Sequence, residues 1–313
     1  MSSTSNVSAP RWKVWAAFAA IYLIWGSTYL AIRFAIATVP PLLMAGFRFT
    51  TAGAILYTVM RLRGVPHPKR IHWRSGLIVG GLMLLGGNGG VTWAEQRVYS
   101  SIAALMIAMV PLWIVLLEWI RPNGRKPGPW TISGLVLGFV GMVLLVGPGN
   151  LSGEPVDLVG AGVLVLAALL WSIGSLISRE APLPDDGLMG TAVEMLMGGG
   201  LLILLGTLIG EWSDFDLTMI SLQSAGAFIY LILVGSLIGF SAYVWLLKAV
   251  SPAQASTYAY VNPVVAVFLG WLLAGETLTW RTLIAAAIII GSVVLITVRQ
   301  STRQFVLAEQ PGD

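Results

Sequence analysis

The sequence predicts an all-α integral membrane protein of ten transmembrane helices, arranged as two inverted five-helix repeats. Three observations predict it. Of 313 residues, 57% are hydrophobic and only 10% are charged, where a soluble domain carries roughly a quarter charged residues. The apolar residues fall into ten runs of about 20, the length that crosses a bilayer as a helix. The second five runs echo the first five at an offset near 150 residues.

Cut at charged and Pro/Gly-rich turns, the runs cover residues 14–37, 42–62, 75–94, 101–120, 130–146, 158–177, 190–209, 225–247, 253–273 and 281–298. They are continuously apolar, whereas a barrel strand would alternate over ~10 residues. The first run follows Arg11 and Lys13, as a signal peptide would. It is too long for one, contains Trp25 and Arg33, lacks a small-residue cleavage site, and is read as the first helix. With the N-terminus inside, fourteen basic residues fall on the inner side: Arg11, Lys13, Arg61, Arg63, Lys69, Arg70, Arg74, Arg121, Arg125, Lys126, Arg179, Lys248, Arg299 and Arg303. Only Arg33, Arg97 and Arg281 fall outside, with Arg48 left within a span. The positive-inside rule then places both termini in the cytoplasm. The expected divisions are a cytoplasmic tail at 1–13, a first repeat at 14–147, an external linker at 148–157, a second repeat at 158–298 and a cytoplasmic tail at 299–313.

The repeat shows at single residues. An offset of 146 lays residues 23–35 on 169–181, with Trp25 on Trp171 and Arg33 on Arg179. At 152, Trp93 meets Trp245, Pro111 meets Pro263 and Trp119 meets Trp271; at 150, Trp130 meets Trp280 and Gly141 meets Gly291. Five crossings are an odd number, so the second copy enters the membrane upside down. Inverted repeats are characteristic of secondary transporters, which bind substrate near the midplane between the copies and open alternately to each side.

Other classes are disfavoured. The net charge of +4 comes from short turns between spans, so no nucleic-acid stripe exists. Without cysteine, and with His67 and His72 confined to one loop, neither a metal site nor a cofactor is expected. An intramembrane enzyme needs a nucleophile with a base, paired carboxylates or metal ligands, and Glu194 stands alone well inside the spans.

The string Leu-Ile-Trp-Gly-Ser-Thr-Tyr in the first helix, Phe47-Arg48-Phe49 in the second, Pro111 and Pro263, and Leu273-Ala274-Gly275-Glu276-Thr277-Leu278-Thr279 together resemble the EamA family of the drug/metabolite transporter superfamily. The resemblance spans about residues 14–298. The first half departs from it at Arg121-Pro122-Asn123-Gly124, where a Gly-Glu turn is expected. It implies a non-enzymatic exporter of amino acids, aromatic or other apolar ones among them, and of related metabolites or drugs across the bacterial inner membrane. A lipid or lipid-carrier flippase is the alternative on the same fold, since fold alone does not choose the cargo. The expected partners are a small-molecule substrate and the lipid bilayer, with the chain a monomer or weak homodimer.

Several residues are candidates for substrate binding in a cavity bordered by helices one, three, four, six, eight and nine. Pro111 and Pro263 each free a backbone carbonyl at mid-depth, and Asn262 adds an amide there. Trp25 and Trp171 lie mid-helix, away from the interfacial belt where tryptophan concentrates; each is a cavity wall or a core filler. Ser27, Thr28 and Ser175 could bind a carboxylate or bond to their own helices. Asn88, amid Gly86, Gly87, Gly89 and Gly90 and followed by Trp93, marks close helix approach or unwinding. Tyr243, near Phe240 and Trp245, and Tyr258 complete the set. Arg48 and Glu194 occupy equivalent repeat positions; with Glu276 they are coupling or structural charges. Gly134, Gly138, Gly141, Gly291 and Gly198 to Gly200 read as packing or dimer contacts.

Overall fold

The computed structural model describes residues 11–121, 126–146, 156–249 and 258–308. The expected linker falls mostly outside the described residues, as do Pro122, Asn123 and Gly124. The helices are α1 (Arg11–Ala35), α2 (Pro41–Leu62), α3 (Arg70–Ala94), α4 (Ser100–Ile120), α5 (Pro129–Val146), α6 (Leu158–Ser178), α7 (Gly187–Leu208), α8 (Leu222–Tyr243, continuing to Ala249), α9 (Tyr258–Ala274) and α10 (Trp280–Ala308). Among the described residues there is no strand. Eight described helices are long and apolar enough to cross a membrane, and Val261–Ala274 and Trp280–Leu295 add two shorter apolar stretches.

Two helices exceed their apolar runs. α3 begins at Arg70 and α10 continues to Ala308, into what the sequence reads as a tail. Hydropathy marks only the part that suits lipid, whereas backbone hydrogen bonding continues into polar residues until a stop signal intervenes. Such stops are visible elsewhere. Pro41 opens α2 at its first turn, where its missing N–H costs nothing. Gly275, at φ 65°, ends α9 in the left-handed conformation that glycine adopts freely.

The chain alternates between two ends of the bundle. On the end where α1 finishes, here the upper face, Arg33 donates to the carbonyl of Val98 (3.0 Å), Arg97 pairs with Asp157 (3.6 Å), and the Ser221 N–H donates to Thr38 (3.2 Å). On the lower face, Arg121 pairs with Glu180 (3.1 Å) and Arg179 with Glu118 (3.4 Å).

α2 packs along α7 and α5 along α10, while α1 lies against α8 and α9, and α6 against α3 and α4. Small residues allow these approaches. A β-carbon on Gly199 would lie 2.7 Å from the Thr50 nitrogen of α2, and one on Gly138 2.9 Å from Ser292 Oγ of α10. These glycines therefore serve contacts within the chain. Gly200 and Gly291 face open space.

Tryptophans divide by position. Trp12, Trp15, Trp119, Trp130, Trp212, Trp271 and Trp280 are exposed towards the ends of the bundle, where an indole can meet both headgroups and hydrocarbon. Trp25 and Trp171 are partly buried at mid-helix.

Candidate functional site

The bundle's middle is built from α1, α8 and α9 on one side and α3 and α6 on the other. α3 and α8 both widen to π-helical turns there, over Gly81–Gly89 and Leu231–Ile238. The two segments overlap when the chain is shifted by 152 residues. π-Turns displace a backbone from regular helix geometry and recur at functional sites.

Each widened helix receives a tryptophan. A β-carbon on Gly239 would lie 2.6 Å from Trp25 Nε1, and one on Gly87 would lie 2.9 Å from Trp171 Cε3. The glycines are 152 residues apart and the tryptophans 146, so one tryptophan-on-glycine contact occurs twice. The string Gly86-Gly87-Asn88-Gly89-Gly90 thus has a packing role: Leu170, Trp171 and Ala167 of α6 occupy the space that side chains at Gly86, Gly87 and Gly90 would fill.

Three of the predicted residues come together. Trp25 has ring centroids of Tyr243 and Tyr258 at 5.1 Å each, and Tyr243 and Tyr258 lie 5.7 Å apart. Phe240 joins at 5.4 Å from Trp25. Edge-to-face and tilted arrangements at these distances favour aromatic packing. Where the expected cavity would pass between α1, α8 and α9, the rings close on one another. Trp171 lies beyond Phe240, and both border a void of about 10 Å³ together with Glu194 and Thr191. A wider groove of about 440 Å³ runs between α1, α8 and α9, lined by Leu23, Ile24, Ser27, Tyr230, Val264, Val265, Phe268 and Leu269. Leu23, Val264 and Phe268 are more than half exposed. The groove is therefore apolar and opens sideways.

The hydroxyls mostly serve their own helices. Thr28 donates to the carbonyl of Trp25 (2.6 Å) and Ser175 to that of Trp171 (2.7 Å). Ser27 donates to Ile24 (2.8 Å) and also meets the Tyr230 hydroxyl of α8 at 2.6 Å.

The two prolines act differently. α4 breaks at Ala108 and Met109, just before Pro111, and Ser172 of α6 reaches the Val110 carbonyl at 3.2 Å. α9 runs through Pro263 as one helix. Beside it Asn262 is buried, with its side-chain oxygen lacking a partner among the described residues. Its backbone carbonyl lies 3.2 Å from where a β-carbon on Gly26 would sit, so α1 approaches α9 at the proline.

Among the described residues, the buried charged side chains lie towards the upper face. Arg48 is buried, donates from Nε to Ser236 of α8 (3.0 Å) and lies 4.6 Å over the Phe49 ring. Asn88 and Trp93 lie on the upper half of α3, with Asn88 accepting from Thr92 through its backbone (2.8 Å) and Arg97 stacked over Trp93. Glu276 is 2% exposed. It accepts from Ser100 N (2.8 Å), Ser100 Oγ (2.6 Å), Ser101 N (3.0 Å) and Ser101 Oγ, capping α4 from the far end of the sequence. Arg33 lies 3.9 Å from it.

Two buried carboxylates were not visible in the sequence. Glu211 accepts from Leu42 N (3.1 Å) and Leu43 N (2.8 Å) and so caps α2. Glu95 follows α3 directly and is 1% exposed. Sequence reading leaves it in a turn outside the spans, because its burial comes from α1, α2 and the α9–α10 turn. The only local hint is its place against the apolar end of α3.

Eight described helices long and apolar enough to cross a membrane, packed as one bundle, are an architecture that membrane transporters use. The chain matches the EamA-like transporter family over residues 11–147 and again over 158–298, and it belongs to that family. It is 40% identical over 288 residues to the uncharacterized inner membrane transporter YedA of Escherichia coli (strain K12), covering 91% of this chain and 90% of that one. It is 25% identical to the uncharacterized transporter YoaV of Bacillus subtilis (strain 168), covering 93% and 99%. A solved crystal structure shares the fold, with a TM-score of 0.62 at 22% identity, covering 94% of this chain and 99% of that one.

Proposed function

We propose that this chain is a secondary transporter of ten crossings. Two inverted five-helix repeats, at 14–147 and 158–298, export amino acids, aromatic or other apolar ones among them, and related metabolites or drugs across the bacterial inner membrane by alternating access. Both termini lie in the cytoplasm, so the upper face is external. The observation that carries the reading is the duplicated tryptophan-on-glycine contact, Trp25 on Gly239 and Trp171 on Gly87. Equivalent contacts on opposite sides of a bundle are what two exchangeable half-structures require. The Trp25, Phe240, Tyr243 and Tyr258 rings supply aromatic faces for an apolar or cationic solute once they part.

The sideways groove between α1, α8 and α9 favours a second reading, a lipid or lipid-carrier flippase. Among the described residues the groove is lined by no cation for a phosphate headgroup, which supports the small-solute reading over this one. Counterflow into proteoliposomes preloaded with amino acids, amines or purines tests the first reading. Exchange of an aromatic or apolar amino acid is expected. No exchange of any solute, with scrambling of a labelled lipid instead, would transfer the function to the second.

A further inference from the structure

Among the described residues three carboxylates are buried at the upper end of the bundle, and two of them have both oxygens hydrogen-bonded. Glu276 takes four hydrogen bonds from Ser100 and Ser101, and Glu211 takes two from Leu42 and Leu43. Glu95 is as deeply buried, yet neither of its oxygens has a partner in hydrogen-bond geometry among the described residues. The groups facing it come from three elements: Tyr29 and Arg33 on α1, Arg48 on α2, and Glu276 on the α9–α10 turn. Arg48 is engaged by Ser236, and Arg33 binds the backbone carbonyl of Glu95 (3.4 Å) rather than its carboxyl.

An ionised carboxylate removed from water without donors is strongly disfavoured, so the group neutralises instead. Burial first, and then the Glu276 carboxylate, push the Glu95 carboxyl well above the usual carboxylate range; the charges of Arg33 and Arg48, and the Arg33 backbone N–H from outside hydrogen-bond geometry, act in the opposite sense. We infer that Glu95 is a proton-binding site, neutral while the upper face is closed and releasing its proton to water when that face opens. The inference rests on the alternating-access reading above and adds a coupling proton to it, carried by Glu95 and not by Glu194, which the sequence offers as a coupling or structural charge.

The closed form then binds one proton more than the open form. Closure is fully favoured below the ordinary glutamate value of about 4.3. It weakens as pH rises, by up to about tenfold in the closed-to-open ratio per pH unit, until Glu95 ionises in the closed form as well.

The chain has no cysteine, so Val98→Cys supplies a single thiol at the upper seal. Val98 is 5% exposed and its carbonyl accepts from Arg33. The full chain, reconstituted in liposomes, is labelled with a membrane-impermeant maleimide over roughly pH 5.5 to 8.5, a window above the ordinary glutamate value. Comparing V98C alone with V98C carrying Glu95→Gln cancels the thiol's own ionisation. Labelling of V98C alone should rise several-fold more steeply with pH than labelling of the Gln variant. Glu95→Asp, which still titrates, should keep the steep rise, and Glu95→Met, a second non-titrating change of similar length, should lose it. Parallel profiles in the parent and in either non-titrating variant would overturn the proposal. The readout is accessibility, so a steep pH dependence in V98C that Glu95→Gln abolishes, in a protein that exchanges no solute, would keep the proton site and reject transport. Active counterflow with parallel profiles would do the reverse.

Discussion

The indole nitrogen of Trp25 lies 2.6 Å from where a β-carbon on Gly239 would stand, which leaves no room for any other residue at that position. Gly239→Ala must push the indole off its seat or separate α1 from α8. Overpacking of this kind costs about 1–3 kcal/mol. The thermal midpoint in detergent should fall, and Trp25→Phe combined with Gly239→Ala should recover part of the loss. Gly87→Ala should behave alike against Trp171. An alanine at either position with an unchanged midpoint would mean that the close contact carries no constraint.

Trp25→Ala and Trp171→Ala should impair counterflow while expression stays near normal. Trp25 should matter more for aromatic cargo, because Phe240, Tyr243 and Tyr258 all lie within ring-contact distance of it. Full exchange rates in both variants would remove the tryptophans from the transport path.

The buried caps should differ in weight. Glu276 holds four donors at the start of α4, and removal of a buried, charge-assisted acceptor costs about 3 kcal/mol or more. Glu211 holds two backbone donors of α2, and its loss should cost about 1–2 kcal/mol, as for a helix cap. Thermal unfolding of Glu276→Ala and Glu211→Ala would show the order; a reversed order would contradict the hydrogen-bond reading.

The two faces should respond unequally to loss of equivalent arginines. The Arg179 side chain is 64% exposed and that of Glu118 45%, so Arg179→Ala should change stability by less than about 1 kcal/mol. Arg33 instead spans Glu95, Val98 and Glu276, and Arg33→Ala should destabilise more and speed labelling of a thiol at Val98. Equal effects would argue that both faces are sealed alike.

How much of this was legible follows from particular residues. Trp25 and Trp171 stand out in the sequence because an indole far from the interfacial belt is unusual. Their seats, Gly239 and Gly87, do not, because small residues pack helices in many places. Pro111 and Pro263 look equivalent, yet one breaks its helix and the other does not. That difference depends on neighbours such as Ser172, which binds a carbonyl beside the break. Glu276 was visible as a charge, but its role as a cap for α4 was not, because the cap and the helix are 176 residues apart.

By itself, the sequence determined the membrane setting, the run of apolar helices and the doubling, because hydropathy and offset are properties of order along one chain. The tertiary structure alone decided which buried charges are satisfied. Glu276 and Glu211 meet helix N-termini, while the Glu95 carboxyl has no hydrogen-bond partner among the described residues. A carboxylate's state depends on donors and water around it, and those are supplied by helices distant in sequence.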